Sequence, residues 1–234
     1  VKFLRTILFN LLFYPGSILY ATLMLPCLIT VRSTHWGIHR WVYLYLWVMR
    51  IVLGLDYRVT LKGKLPQEPS IYASKHQSAW ETIALWVLVP NALFVMKKEL
   101  YWLPVIGWWI WRAGNIGINR GGGSATVKKL IKEAKQRSSE GYNLIIFPEG
   151  TRMPPGETRD YLPGVSALAK FLKCPVVPIA LNSGTYWKKN AFAKDPGTID
   201  LVMLESIPAG SLKPDEFLSH LQGQIETESR ALSA

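Results

Sequence analysis

Cysteine is scarce: Cys27 and Cys174 are the only two in 234 residues. They share no metal or redox spacing, which excludes a disulfide framework and fits a reducing, cytoplasm-facing compartment. Neither a metal nor a cofactor is expected. Acidic residues are also few, 16 against 27 Lys and Arg, leaving a net charge of +11 and a pI near 9.7. That surplus calls for a polyanionic partner: nucleic acid, anionic lipid headgroups or a phosphorylated substrate. The chain has no zinc-finger spacing and no aromatic-basic RNA-binding signature, so nucleic acid is not expected. Ten tryptophans and a slightly positive mean hydropathy of +0.13 favour a membrane surface instead. Gly121-Gly122-Gly123-Ser124 lacks the Gly-Lys-Ser/Thr ending of a nucleotide-binding P-loop and is either a flexible connector or a helix start presenting amides to an anion.

What is present begins with Thr6–Val31, uncharged and mostly apolar. As one helix it would run roughly 39 Å, enough for a hydrocarbon core of about 30 Å. Pro15-Gly16 and Pro26 oppose one straight rod. No small-x-small pattern follows to mark a signal peptide, and Leu25 and Pro26 do not supply the small residue a lipid-anchored cysteine needs. After the polar link Arg32–Arg40, Trp41–Leu55 is apolar but interrupted by Arg50. A helix pair dipping into one leaflet fits both segments, and a single span followed by an interfacial helix is the alternative. The expected division is a membrane-associated helix pair over residues 1–55 and an α/β domain over 56–234.

From Asp56 short β-rich runs alternate with helical ones. Strands are predicted at Tyr57–Leu61, Ser70–Ala73, Leu93–Met96, Asn115–Ile118, Asn143–Phe147, Val176–Leu181 and Ile199–Glu205. Helices are predicted at Ser78–Val89, Tyr101–Arg112, Ala125–Ser138, Val165–Leu172 and from about Pro214. Continuous apolar strands such as Leu144-Ile145-Ile146-Phe147 belong in a sheet covered on both faces. The fold class is therefore α/β with a mainly parallel sheet, whose sites lie at the carboxyl ends of strands.

Two stretches leave such ends. In Ser74-Lys75-His76-Gln77-Ser78-Ala79-Trp80-Glu81, a histidine precedes a carboxylate by five positions. They meet only if His76 sits in the turn before the helix and Glu81 reaches back from its first turn. Glu81 would then hold Nδ1 and leave Nε2 as a general base. Ser78-x-x-Glu81 equally has the spacing of a capping box, and both readings stand. In Phe147-Pro148-Glu149-Gly150-Thr151-Arg152, glycine permits a tight turn while Thr151 and Arg152 offer donors to an anion. An ordinary turn explains that stretch alone as well.

Together these stretches resemble the glycerolipid acyltransferase family, above all its 1-acyl-sn-glycerol-3-phosphate acyltransferases, where a His-x-x-x-x-Asp block precedes a Phe-Pro-Glu-Gly-Thr-Arg-like block. Gly114-Asn115-Ile116-Gly117-Ile118-Asn119-Arg120 and Val177-Pro178-Ile179-Ala180-Leu181 are similar to two further blocks, in order. Glu81 departs from the family's usual aspartate by one methylene. The resemblance implies that His76 is the general base and Glu81 its orienting carboxylate. It implies too that Arg120 and Arg152 hold the acceptor phosphate, while Glu149, Gly150 and Thr151 form a loop that fixes itself or touches the acceptor. Lys97 and Lys98, at a strand end, either help to hold that phosphate or form a solvated surface pair. The implied partners are acyl-CoA or acyl-carrier protein, lysophosphatidic acid and membrane lipid. The implied location is the cytoplasmic face of a membrane, the inner one if the source is bacterial. Leu103-Pro104-Val105-Ile106-Gly107-Trp108-Trp109-Ile110-Trp111 either lines an acyl groove, lies at the bilayer interface or packs in the core. Lys128, Lys132 and Lys135 share one helix face that suits solvent or anionic lipid.

Overall fold

The computed structural model describes residues 2–119 and 123–233. The chain opens with helix α1 (Lys2–Leu23), a 3-10 turn at Leu25–Ile29 and helix α2 (Val31–Val48), which runs into a π turn at Met49–Leu53. The expected polar link Arg32–Arg40 is therefore helical. Thr30 supplies the reason: it forms a capping box with Ser33 and starts α2 there, after the break at Pro26. Pro15 lies inside α1 without ending it. The hydroxyl of Tyr45 donates to the carbonyls of Leu12 (2.7 Å) and Phe13 (3.2 Å), giving partners to the helix backbone just before the proline.

The strands follow as β1 (Leu55–Leu61), β2 (Ile71–Ser74), β3 (Ala92–Lys97), β4 (Ile116–Ile118), β5 (Asn143–Ile146), β6 (Val176–Leu181) and β7 (Gly197–Met203). Between and after them come α3 (Trp80–Leu88), α4 (Ile106–Arg112), α5 (Gly123–Ser139), α6 (Gly164–Leu172), α7 (Ser183–Tyr186) and α8 (Pro214–Ala231). The predicted helix Tyr101–Arg112 is split: a 3-10 segment covers Lys98–Trp102, and α4 begins after Pro104. Between them Val105 has φ 61° and ψ −55°, and the amide of Ile106 bonds the carbonyl of Pro104 at 2.6 Å. This tight three-residue turn is strained for a β-branched residue.

One seven-stranded sheet has the order β1-β7-β6-β2-β5-β3-β4. Its pairings are parallel except β6 with β7, so the fold is α/β with a mainly parallel sheet. Side chains alternate across the strands. Tyr72, Ile145 and Val177 enter one core with Phe9, Val42, Trp80 and Trp109 from α1 to α4. Ile71, Leu144 and Val176 enter the other with Leu130, Leu168 and Leu221 from α5, α6 and α8. Each fully buried aliphatic side chain contributes about 1.5–3 kcal/mol, and both faces are covered, so the central strands carry little polar sequence. The order β6-β2-β5 brings three carboxyl ends side by side, at Leu181, Ser74 and Ile146.

Candidate active site

β2 is buried along its whole length and ends at Ser74, after which the chain turns through Lys75, His76 and Gln77 before α3 starts at Trp80. The helix starts two residues later than predicted, because Ser78 acts as a cap from outside it: its hydroxyl accepts from the Trp80 amide at 2.9 Å. Glu81, in the first turn, points back over that turn. Its Oε1 lies 2.8 Å from His76 Nδ1 and accepts the amides of Gln77 and Ser78 at 2.7 Å each. Its Oε2 accepts the hydroxyls of Ser78 (2.9 Å) and Ser183 (2.8 Å). Capping and contact with histidine thus coexist in one carboxylate, which the spacing had left as alternatives. Burial pushes the Glu81 carboxyl up, but the His76 hydrogen bond and charge and the Ser78 and Ser183 donors outweigh it and hold it below its ordinary value.

The His76 ring is 14 % exposed and stacks on Phe147, with centroids 4.1 Å apart. It lines a cavity of about 730 Å³. Nδ1 is engaged by Glu81, so Nε2 is the ring nitrogen left for other chemistry. The loop after β5 meets the same turn. Its Gly150 has φ 67°, and a Cβ there would stand 2.6 Å from Leu162 Cδ1. Glycine takes this left-handed bend without strain, and the bend brings Gly150, Thr151 and Arg152 into the cavity wall. The Gly150 amide is spent on the Phe147 carbonyl at 2.9 Å.

Glu149 faces away from the cavity and is fully buried. Its Oε2 accepts the His76 amide at 2.9 Å, and its Oε1 lies 2.6 Å from Lys75 Nζ. Glu149 thus ties the loop after β5 to the turn that carries His76. Lys75 Nζ also reaches both oxygens of Glu226 at 2.9 Å and the Glu157 carbonyl at 3.0 Å, and Tyr161 donates to Glu226 at 2.9 Å. Burial raises the Glu149 carboxyl above its ordinary value against the opposing pull of Lys75, and it pushes the Tyr161 phenol up.

Among the expected cations, Arg152 is half-buried in the cavity wall, and Lys189 donates to its carbonyl at 3.0 Å. Lys97 and Lys98, at the end of β3, are both exposed, but only Lys97 lines the cavity. Arg120 lies outside the described residues. The aromatic stretch serves more than one purpose. Leu103, Ile106, Trp109 and Ile110 line the cavity, with the Trp109 indole donating to the Ala21 carbonyl at 3.1 Å, while Trp102, Trp108 and Trp111 are exposed. Lys75, Gln77, Ser183 and Glu226 were missed in sequence. Only a buried-strand context for Lys75 pointed to any of them, since their partners lie far along the chain.

A family model described as Acyltransferase matches residues 56–182, more than half of the chain. The chain is 35% identical over 206 residues to the 1-acyl-sn-glycerol-3-phosphate acyltransferase of Pseudomonas aeruginosa, covering 87% of this chain and 80% of that one. It is 31% identical over 197 residues to the lyso-ornithine lipid O-acyltransferase of the same organism, covering 76% and 75%. The crystal structure of the 1-acyl-sn-glycerophosphate acyltransferase of Thermotoga maritima superposes with a TM-score of 0.79 over the full length of both chains at 19% identity, a likeness of fold. A histidine held by a buried carboxylate thus lines a largely apolar cavity in a chain that belongs to the acyltransferase family.

Proposed function

We propose that this enzyme moves a fatty acyl group from acyl-CoA or acyl-carrier protein to the free hydroxyl of 1-acyl-glycerol-3-phosphate, giving phosphatidic acid, with His76 as general base. The observation that carries the reading is the 2.8 Å contact between His76 Nδ1 and the buried Glu81, beside an apolar cavity that Arg152 also lines. His76 Nε2 takes the hydroxyl proton as the oxygen attacks the thioester carbonyl. The tetrahedral intermediate then collapses, breaking the C–S bond, and the imidazolium returns its proton to the departing thiolate. Glu81 keeps the proton on Nδ1 and stabilises the imidazolium. Neither cysteine lies in the cavity wall, and the chemistry is direct transfer without an acyl-enzyme. Arg152 and Arg120 hold the acceptor phosphate through paired hydrogen bonds, with the Lys97–Lys98 pair assisting chiefly through Lys97.

The substrates are lipidic, and α1 is long and apolar enough to cross a membrane. Its exposed Leu4, Leu11 and Leu19, with Trp36 and Trp47 on α2, support a protein seated on the membrane through residues 1–55. Residues 56–234 carry the catalytic groups on the cytoplasmic side, and α1 and α2 complete the cavity wall through Phe13, Ala21, Ile38 and Trp41.

His76→Ala tests the base. Turnover in detergent should fall at least about 10²-fold, the usual contribution of general-base catalysis; unchanged turnover would remove the assignment. The likeness to a lyso-ornithine lipid O-acyltransferase favours a second reading, the same chemistry on a lyso-aminolipid. A panel of acceptors separates the two, and no preference for a phosphate monoester would move the assignment to the second.

A further inference from the structure

We propose that Ser183 is a positioning residue for the His76–Glu81 pair, holding the glutamate in the rotamer that reaches the imidazole. Glutamate has one more rotatable bond than the aspartate usual at this position in the blocks described above, so its carboxylate has more ways to miss the histidine. Backbone amides of Gln77 and Ser78 fix Oε1 and the Ser78 hydroxyl reaches Oε2 at 2.9 Å, but these donors all belong to the turn that carries the pair and move with it. The Ser183 hydroxyl, 2.8 Å from Oε2, is the hold that comes from outside that turn, from the end of the neighbouring strand.

Ser183 is built to be a fixed point. It is fully buried at the start of α7, directly after β6, the strand beside β2. The preceding Asn182 is locked from two sides: its Nδ2 donates to the Leu232 carbonyl at 2.8 Å, and its Oδ1 accepts the Asp200 amide at 2.9 Å. The following Gly184 donates its amide to Gln77 Oε1 at 3.0 Å, and a Cβ on it would stand 2.9 Å from Gln77 Cβ. The hydroxyl therefore has little room to drift, and any shift of α7 moves the turn that carries His76. A buried carboxylate gains most from donors that are already in place when it arrives. Ser183 acts through Glu81 and touches no substrate.

The test pairs Ser183→Ala with Glu81→Asp, and its kinetic half rests on the proposed transferase activity. Ser183→Ala should lower kcat about ten-fold, the equivalent of about 1.4 kcal/mol in the barrier, with KM for the acceptor changed less than about two-fold. The shorter Asp carboxylate withdraws from Ser183, so in the Glu81→Asp background Ser183→Ala should cost less than about two-fold. A second readout needs no turnover. The ¹⁵N imidazole shifts of His76 report which ring nitrogen carries the proton, and the Nδ1-protonated form should lose population in Ser183→Ala while the Gln77 and Ser78 amide signals persist. If Ser183→Ala lowered only the unfolding midpoint, with kcat and the imidazole signature unchanged, Ser183 would be a packing residue and the proposal would fail. An undiminished effect in the Glu81→Asp background would overturn it too. If no acceptor were acylated by the parent protein, the proposed activity would fall, while the imidazole comparison would still decide the role of Ser183.

Discussion

Lys75 Nζ stands 2.6 Å from Glu149 Oε1, with both residues almost wholly buried, one position before the histidine of the site. Because Glu149 also accepts the His76 amide, this ion pair sets the height of the His76 backbone above the sheet edge. Glu226 of α8 shares the same ammonium, so two carboxylates lean on one cation. Removing the cation leaves both uncompensated, whereas removing Glu226 leaves a one-to-one pair. Lys75→Met should therefore destabilise by about 3–5 kcal/mol and reduce turnover, and Glu226→Gln should cost about 1.5 kcal/mol or less. Urea unfolding of both variants checks the order; a Lys75→Met loss below that of Glu226→Gln would show that the cluster is not organised around the ammonium.

Glu81 gives the protein a pH dependence of known sign. Its folded pKa lies below the ordinary value of 4.5. The stability it contributes is thus fully present above that value and is lost as pH falls through the depressed folded value. Glu149, raised by burial, has the opposite sign and favours the folded state on acidification. The stability difference between the parent and Glu81→Gln should be largest near neutral pH and shrink below about pH 4.5. Unfolding free energies of the two proteins at neutral and acid pH measure it. A constant difference would mean that the carboxylate's charge does not matter to the fold.

Arg152 and Lys97 line the cavity, and Lys98 does not. Charge-assisted hydrogen bonds are worth about 1.5–3 kcal/mol, so Arg152→Ala should raise KM for a phosphate-bearing acceptor roughly ten- to hundred-fold and change KM for the acyl donor much less. Lys97→Ala should act in the same direction, and more strongly than Lys98→Ala. Steady-state kinetics with each substrate varied in turn separates these outcomes. A larger effect of Arg152→Ala on the donor would place that arginine at the other half of the site.

Much of the architecture was readable before any coordinates. β6 runs over Val176–Leu181 as expected, because a continuous apolar run can be satisfied only inside a sheet covered on both faces. Helix ends were harder. Pro104 and the strained Val105 divide a segment whose apolar residues read as one helix, and Pro15 stays inside another, whose carbonyls at Leu12 and Phe13 accept the hydroxyl of Tyr45 from a different helix. A propensity read along one segment has no access to a hydroxyl delivered from elsewhere.

The site divides in the same way. The sequence alone placed His76 and Glu81 in one turn, within local reach of each other but with capping as an equal use of the glutamate; the 2.8 Å contact is what the structure adds. It also marked a tight bend at Gly150, where glycine adopts the left-handed conformation at least cost. Only the tertiary structure decided which neighbours the carboxylates share. Ser183 reaches Glu81 and Glu226 reaches Lys75 across gaps of 102 and 151 residues. The order β6-β2-β5 and the docking of α8 on β6 close those gaps, and they arise from burial of both sheet faces, not from any spacing along the chain.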